Sequence, residues 1–249
     1  MFLENNKLKI IKPNAFEHTF FASTAILFLA LCLVGFSMGI QLKSSRGTDL
    51  AVARFLLHGT LGFIWLLTYV LQTQLIFRNK IKLHMKIGRA SVITLFLFGL
   101  STIYLIISAK TSYPKIPDKA LANFIGTFSL SSIFEFALII LALWFRKTPF
   151  LHKRLMFYGV LAFSGTGTDR IFLFMGIEEP IFYMFSVNLL IKLPLLIYDF
   201  KTYPVKQKLI SSFLFLYSYI VMAFGILLIK PYFSSKEWIN FAVWLASLV

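Results

Sequence analysis

The chain has 249 residues, of which 58% are hydrophobic and only 14% charged. A soluble domain carries about 25% charged residues, so the solvated surface of a globular enzyme is missing, and a disordered chain or a disulfide-rich secreted module is excluded with it. The formal charge of +15 lies in short basic clusters between apolar runs, the pattern of topogenic charge. The partner this implies is the lipid bilayer, with no nucleic acid.

A membrane crossing takes about 20 predominantly apolar residues. Seven runs reach or approach that length, in chain order 19–42, 55–77, 90–109, 120–145, 155–177, 180–198 and 209–229. The first follows a basic, polar leader and lacks a small-residue cleavage site, so it reads as a retained span rather than a signal peptide. The closing stretch, residues 238–249, is too short to cross and reads as an interfacial helix or one packed back on the bundle. Continuous runs exclude a β-barrel, whose strands are about 10 residues long and alternate. The expected fold class is all-α: a polytopic transmembrane helical bundle of seven spans plus a short C-terminal interfacial helix. It forms a single integral membrane domain over residues 1–249.

Lysine and arginine divide unequally between the two sides of such a bundle. Fifteen fall on the side of the N-terminus, among them Lys7, Arg78, Lys82, Arg146, Arg154 and Lys206, and eight on the other, among them Lys43, Arg54 and Lys115. That excess places the N-terminus in the cytoplasm. Cys32 is the single cysteine, which leaves no intramolecular disulfide to expect.

An internal repeat runs at an offset of 68 residues. Phe77-Arg78 falls on Phe145-Arg146, Leu83-His84 on Leu151-His152, and Lys86 on Arg154. The units are 55–109 and 123–177, in the same direction, so the repeat is parallel. Two of only four histidines occupy equivalent places.

Those two carry the first site hypothesis. Neutral imidazoles ligate metal ions and haem iron, so His84 and His152, facing one another across the repeat axis, form a candidate metal or haem site that Asp199 can complete. The alternative is that both cap helix ends among lysines and arginines, whose charge opposes a metal. His18 is a weaker candidate.

Four further polar residues lie inside apolar runs, where ionisable groups are expensive. His58 and Arg170 stand at similar depth below the outer face and can share a cavity; otherwise Arg170 pairs with Asp169 or Glu178. Glu135 lies near mid-membrane, neutral or paired, with Lys192 as its natural partner and a proton relay as the functional option. The string Ser164-Gly165-Thr166-Gly167-Thr168 lacks the lysine and preceding strand of a phosphate loop. Gly35 and Gly39 form a GxxxG pattern, which permits close helix packing.

The stretch His58-Gly59, Trp65, Gln72, Leu83-His84 and Gly88-Arg89, followed by Leu151-His152-Lys153-Arg154-Leu155-Met156 and Arg170, resembles an uncharacterised family of bacterial multi-pass membrane proteins. Tyr198-Asp199 and the closing Trp238, Ala242 and Trp244-Leu245 are similar to that family's ends. The resemblance implies a helical bundle and brings no activity with it. It supports His58, His84, His152, Arg170 and Asp199 as the residues to test. Three functions follow as expectations: a metal- or haem-binding membrane redox protein, a membrane-embedded metal-dependent lipid hydrolase, or a small transporter or scaffold.

Overall fold

The computed structural model describes residues 15–45, 53–112, 115–177, 181–224, 227 and 230–248. Among the described residues every regular element is a helix: α1 (Ala15–Ser45), α2 (Ala53–Phe77), α3 (Ile81–Ile107), α4 (Ala109–Ser112), α5 (Asp118–Trp144), α6 (Pro149–Phe174), α7 (Ile181–Thr202), α8 (Val205–Phe224), α9 (Lys230–Tyr232) and α10 (Lys236–Ala246). Without water to hydrogen-bond the backbone, a chain this apolar satisfies its amides within helices.

The helix ends follow local chemistry. Asn79 takes a φ of 57° just past α2. Its N–H bonds the Ile76 carbonyl at 2.9 Å and the Lys80 N–H bonds the Leu75 carbonyl at 2.7 Å. This is a Schellman cap, which Asn tolerates because its short side chain suits the left-handed region. Gly176, at φ 83°, closes α6 the same way, with Gly176 and Ile177 bonding Leu173 and Phe172. Pro149 opens α6 at a position where its missing N–H costs nothing. Pro204 separates α7 from α8 in a turn of two residues, which brings the end of one helix onto the start of the next.

Among the described residues five helices are long and apolar enough to cross a membrane: α1, α2, α3, α5 and α7. Of the seven spans expected, the runs 155–177 and 209–229 give helices, α6 and α8, that do not meet that measure among the described residues. The helix of the fifth run, α6, carries Lys153, Arg154, Asp169 and Arg170. It tolerates them because it is enclosed, packing against α1, α5, α7 and α8; an enclosed helix can hold charge wherever a partner reaches it. The seventh run gives α8, which begins with Lys206 and Lys208 and spans 20 residues. Helices also begin before the hydropathy does: α3 starts at Ile81 rather than residue 90, because the basic turn around His84 and Lys86 is helical as well.

Helix bounds follow the 68-residue offset. Shifting α3 by 68 lays its ends on residues 149 and 175, against Pro149 and Phe174 for α6. Each unit is a pair of packed neighbours, α2 with α3 and α5 with α6. Leu66, Phe157, Val160 and Leu138 fill the main core between α1, α2, α5 and α6, while large apolar side chains such as Ile93, Phe96 and Ile133 remain exposed, as lipid-facing positions do. The closing segment packs back on the bundle: Ala242 and Ala246 of α10 are buried against Leu121 and Ala122, and the Trp238 indole donates to the Ala122 carbonyl at 3.0 Å. Phe241 and Trp244 stay exposed on its other face, which suits a membrane interface.

Candidate functional site

Polar chemistry concentrates at the basic end of the bundle, where α2 turns into α3 and α5 into α6. Three consecutive residues of α6 fan out there. His152 turns toward α5 and α3, Lys153 toward α1, and Arg154 toward α7 and α1.

Arg154 is fully buried, as are Glu17 and Asp199. Its Nε donates to Asp199 Oδ2 at 2.8 Å, and one terminal nitrogen reaches Asp199 Oδ1 as well as Glu17 Oε1 at 2.9 Å. Lys153 donates to Glu17 Oε2 at 2.5 Å, and the Tyr203 hydroxyl to Glu17 Oε1 at 2.9 Å. Ser211 donates to Asp199 Oδ2 at 2.5 Å. The guanidinium also lies 3.7 Å over the Phe150 ring. Two acids and two bases cancel, and each carboxylate collects several charge-assisted donors, the condition under which a buried ion pair is tolerated. Burial first, and then the neighbouring Glu17 carboxylate, push the Tyr203 phenol above its ordinary range, so it remains a neutral donor. The network ties α1, α6, α7 and α8 together.

Asp199 therefore does not complete a site with the histidines. No group of three or more His, Cys, Asp or Glu able to hold a metal occurs among the described residues. The two histidines do meet: their ring centroids are 6.4 Å apart, with planes at 76°.

Their surroundings assign a tautomer to each. His152 Nδ1 lies 2.7 Å from the Ala142 carbonyl. A carbonyl only accepts, so Nδ1 carries the proton and Nε2 is left as a base. For His84 the neighbour is Gln72. The amide orientation that satisfies all its contacts accepts from the Gly88 N–H at 3.0 Å and donates to the His84 carbonyl at 3.1 Å and to His84 Nδ1. His84 thus accepts at Nδ1 and carries its proton on Nε2. The two imidazoles therefore differ in tautomer, Nε2–H on His84 and Nδ1–H on His152.

His58 Nδ1 lies 3.1 Å from the Ser101 hydroxyl, with its ring against Phe98 and Phe128. Arg170 bonds the Thr166 carbonyl at 2.6 Å and lies 4.4 Å over Phe36 of α1, and its charge is felt at the His58 ring, so the two stand in one electrostatic neighbourhood. Among the described residues no ion pair joins Arg170 to Asp169; Glu178 lies outside them. Nor does one join Glu135 to Lys192. The Lys192 ammonium instead lies 4.1 Å over the Tyr219 ring and 5.9 Å from that of Tyr158, a cation–π setting that suits a desolvated lysine. The Gly165–Gly167 string is helical, and Gly167 is where α1 and α6 touch.

Glu17, Tyr203, Ser211 and Gln72 take part in these sites although the sequence reading passed over the first three and used Gln72 only as a motif letter. Arg154 was read as topogenic charge. Scarcity was an available signal, since the chain has only ten acids and two of them meet this arginine.

No family model, curated protein or solved structure matches the chain.

Proposed function

We propose that this is an integral membrane protein of seven crossings, N-terminus in the cytoplasm of a bacterial cell, whose His152, paired with His84, takes up and releases protons at the cytoplasmic face. The crossings are the five long apolar helices together with α6 and α8. The 15-to-8 division of Lys and Arg supports the orientation. Reporter fusions at residues 45 and 115 are expected to read external, and fusions at 83 and 150 cytoplasmic. Reversed readings at both pairs would overturn the topology.

The proton reading is carried by the opposed tautomers of His84 and His152. A metal or haem iron held between two histidines needs a lone pair from each. His84, accepting from Gln72 at Nδ1, carries its proton on Nε2 and so has no free lone pair to give. His152 Nε2 takes its proton from cytoplasmic water and returns it there, the Ala142 carbonyl holding the imidazolium through Nδ1–H, while His84 keeps its own proton and stays neutral.

Nitrogen NMR of imidazole-labelled protein in bilayers tests this. His84 is expected in the Nε2–H form and His152 in the Nδ1–H form, with Gln72→Leu releasing His84 to a tautomer mixture. Identical tautomers, or stoichiometric metal or haem in protein purified in detergent, would return the site to the metal reading.

A further inference from the structure

The inner face of α2 carries more than the glutamine. His58, Trp65 and Gln72 follow one another at seven-residue steps, about two helical turns or roughly 10 Å each, so they share one face. All three turn into the four-helix unit of α2, α3, α5 and α6. His58 meets Ser101 of α3 and Phe128 of α5. Trp65, 4% exposed, packs with Leu95 and Ile139, and its indole N–H is buried without a hydrogen-bond partner in the structure. Gln72 meets His84.

Glu135 stands opposite this file on α5. It follows Phe128 by seven residues and precedes Ile139 by four, spacings that keep all three on one helix face. The first of these touches His58 and the second packs with Trp65. Among the described residues no hydrogen bond or ion pair reaches its carboxyl group, although this is the costliest depth at which to leave one. A structural role ties such a group down; here the indole donor packed on Ile139, one turn from Glu135, is idle as well.

The chemistry at the two ends matches. Ser101 donates its own hydroxyl proton to the Phe98 carbonyl at 2.7 Å, so His58 donates from Nδ1 and keeps Nε2 as a base. His152 does the same at the far end. An acid thus lies between two imidazole bases, each with one nitrogen tied to the scaffold.

We propose that the interior of the repeat unit is a transmembrane proton path in which Glu135 is the carrier, flanked by His58 on the outer side and His152 on the cytoplasmic side. The cytoplasmic end rests on the proton reading of the histidine pair. Glu135 releases its proton through intervening water to His152 Nε2, and the imidazolium passes it to the cytoplasm. The carboxylate, held for that interval by the Trp65 indole N–H, takes a proton relayed by His58 from outside. One proton enters for each that leaves, and every group returns to its starting form. Steps of this length need water between the groups, so conduction follows hydration of the interior.

Proteoliposomes with a trapped pH indicator and an imposed potential test the path. Wild-type protein is expected to raise proton influx over protein-free vesicles, Glu135→Gln to lower it at least about tenfold, and Glu135→Asp to restore part of it. Infrared difference spectra give a second readout: a carboxylic-acid carbonyl band, absent from Glu135→Gln, should shift in deuterated water. Wild-type flux no greater than that of protein-free vesicles, or equal flux from wild type and Glu135→Gln of the same thermal stability, would overturn the path. Either result leaves the tautomers found by NMR standing, whereas identical tautomers with Glu135-dependent flux would overturn the pair and keep the carrier.

Discussion

Replacing Arg154 with methionine is expected to cost roughly 3–5 kcal/mol of stability, the range for removing one partner of a buried pair. Methionine keeps much of the side-chain length, so the effect is one of charge and hydrogen bonding rather than of volume. Asp199 would keep only Ser211 as a donor, and Glu17 would keep Lys153 and Tyr203. Arg154→Lys is expected to lose less, since the charge remains while the two-pronged contact with Asp199 does not. The double change Arg154→Met, Asp199→Asn should recover much of the loss, because it leaves Glu17 paired with Lys153 and no uncompensated charge. Thermal unfolding in one detergent compares the four proteins. A loss below about 1 kcal/mol for Arg154→Met, smaller than breaking a buried pair allows, would show that water reaches the network and screens it.

The same residue shows where sequence reading stops. Hydropathy finds helices that face lipid, and it located α1, α2, α3, α5 and α7 to within a turn or two at most ends. It says less of α6, because a helix surrounded by others answers to its neighbours and not to the bilayer. Arg154 belongs to a basic cluster in one dimension and to a balanced quartet in three. Its acids come from α1 and α7, 137 and 45 residues away, and no local pattern encodes such a meeting. The meeting of the histidines was legible because the 68-residue offset pairs their positions in the sequence. Their tautomers were not, since they depend on a glutamine across a turn and on a backbone carbonyl of α5. Asp199, at the cytoplasmic end of its run, and Lys192, inside the same run, were singled out by their charge. The groups they touch, Arg154 and Ser211 for one and the Tyr219 ring for the other, lie on other helices that no local pattern points to.

Glycines supply the second large effect, and they supply it as a graded series. A Cβ placed on Gly35 would lie 2.0 Å from the Gly167 carbonyl oxygen, and one on Gly167 would lie 2.8 Å from the Cys32 Cα. Backbone meets backbone at this crossing, so no side-chain rotation can make room and α1 must move off α6. Overpacking of this kind costs roughly 1–3 kcal/mol and sometimes more, and Gly35→Ala is expected at the upper end. Gly39, one turn further along, faces the Arg170 chain at 2.9 Å. That chain can shift, so Gly39→Ala should cost less while disturbing the cation–π contact with Phe36. Gly59 has nothing within 4 Å, and alanine there should be neutral or stabilising by up to about 1 kcal/mol through helix propensity. The double change Gly35→Ala, Gly167→Ala should cost less than the sum of the two, because the first already separates the helices. Unfolding of the series in one detergent ranks them. If Gly35→Ala proved as harmless as Gly59→Ala, the close crossing of α1 and α6, and with it the seat of the Glu17–Arg154 pair, would have to be redrawn.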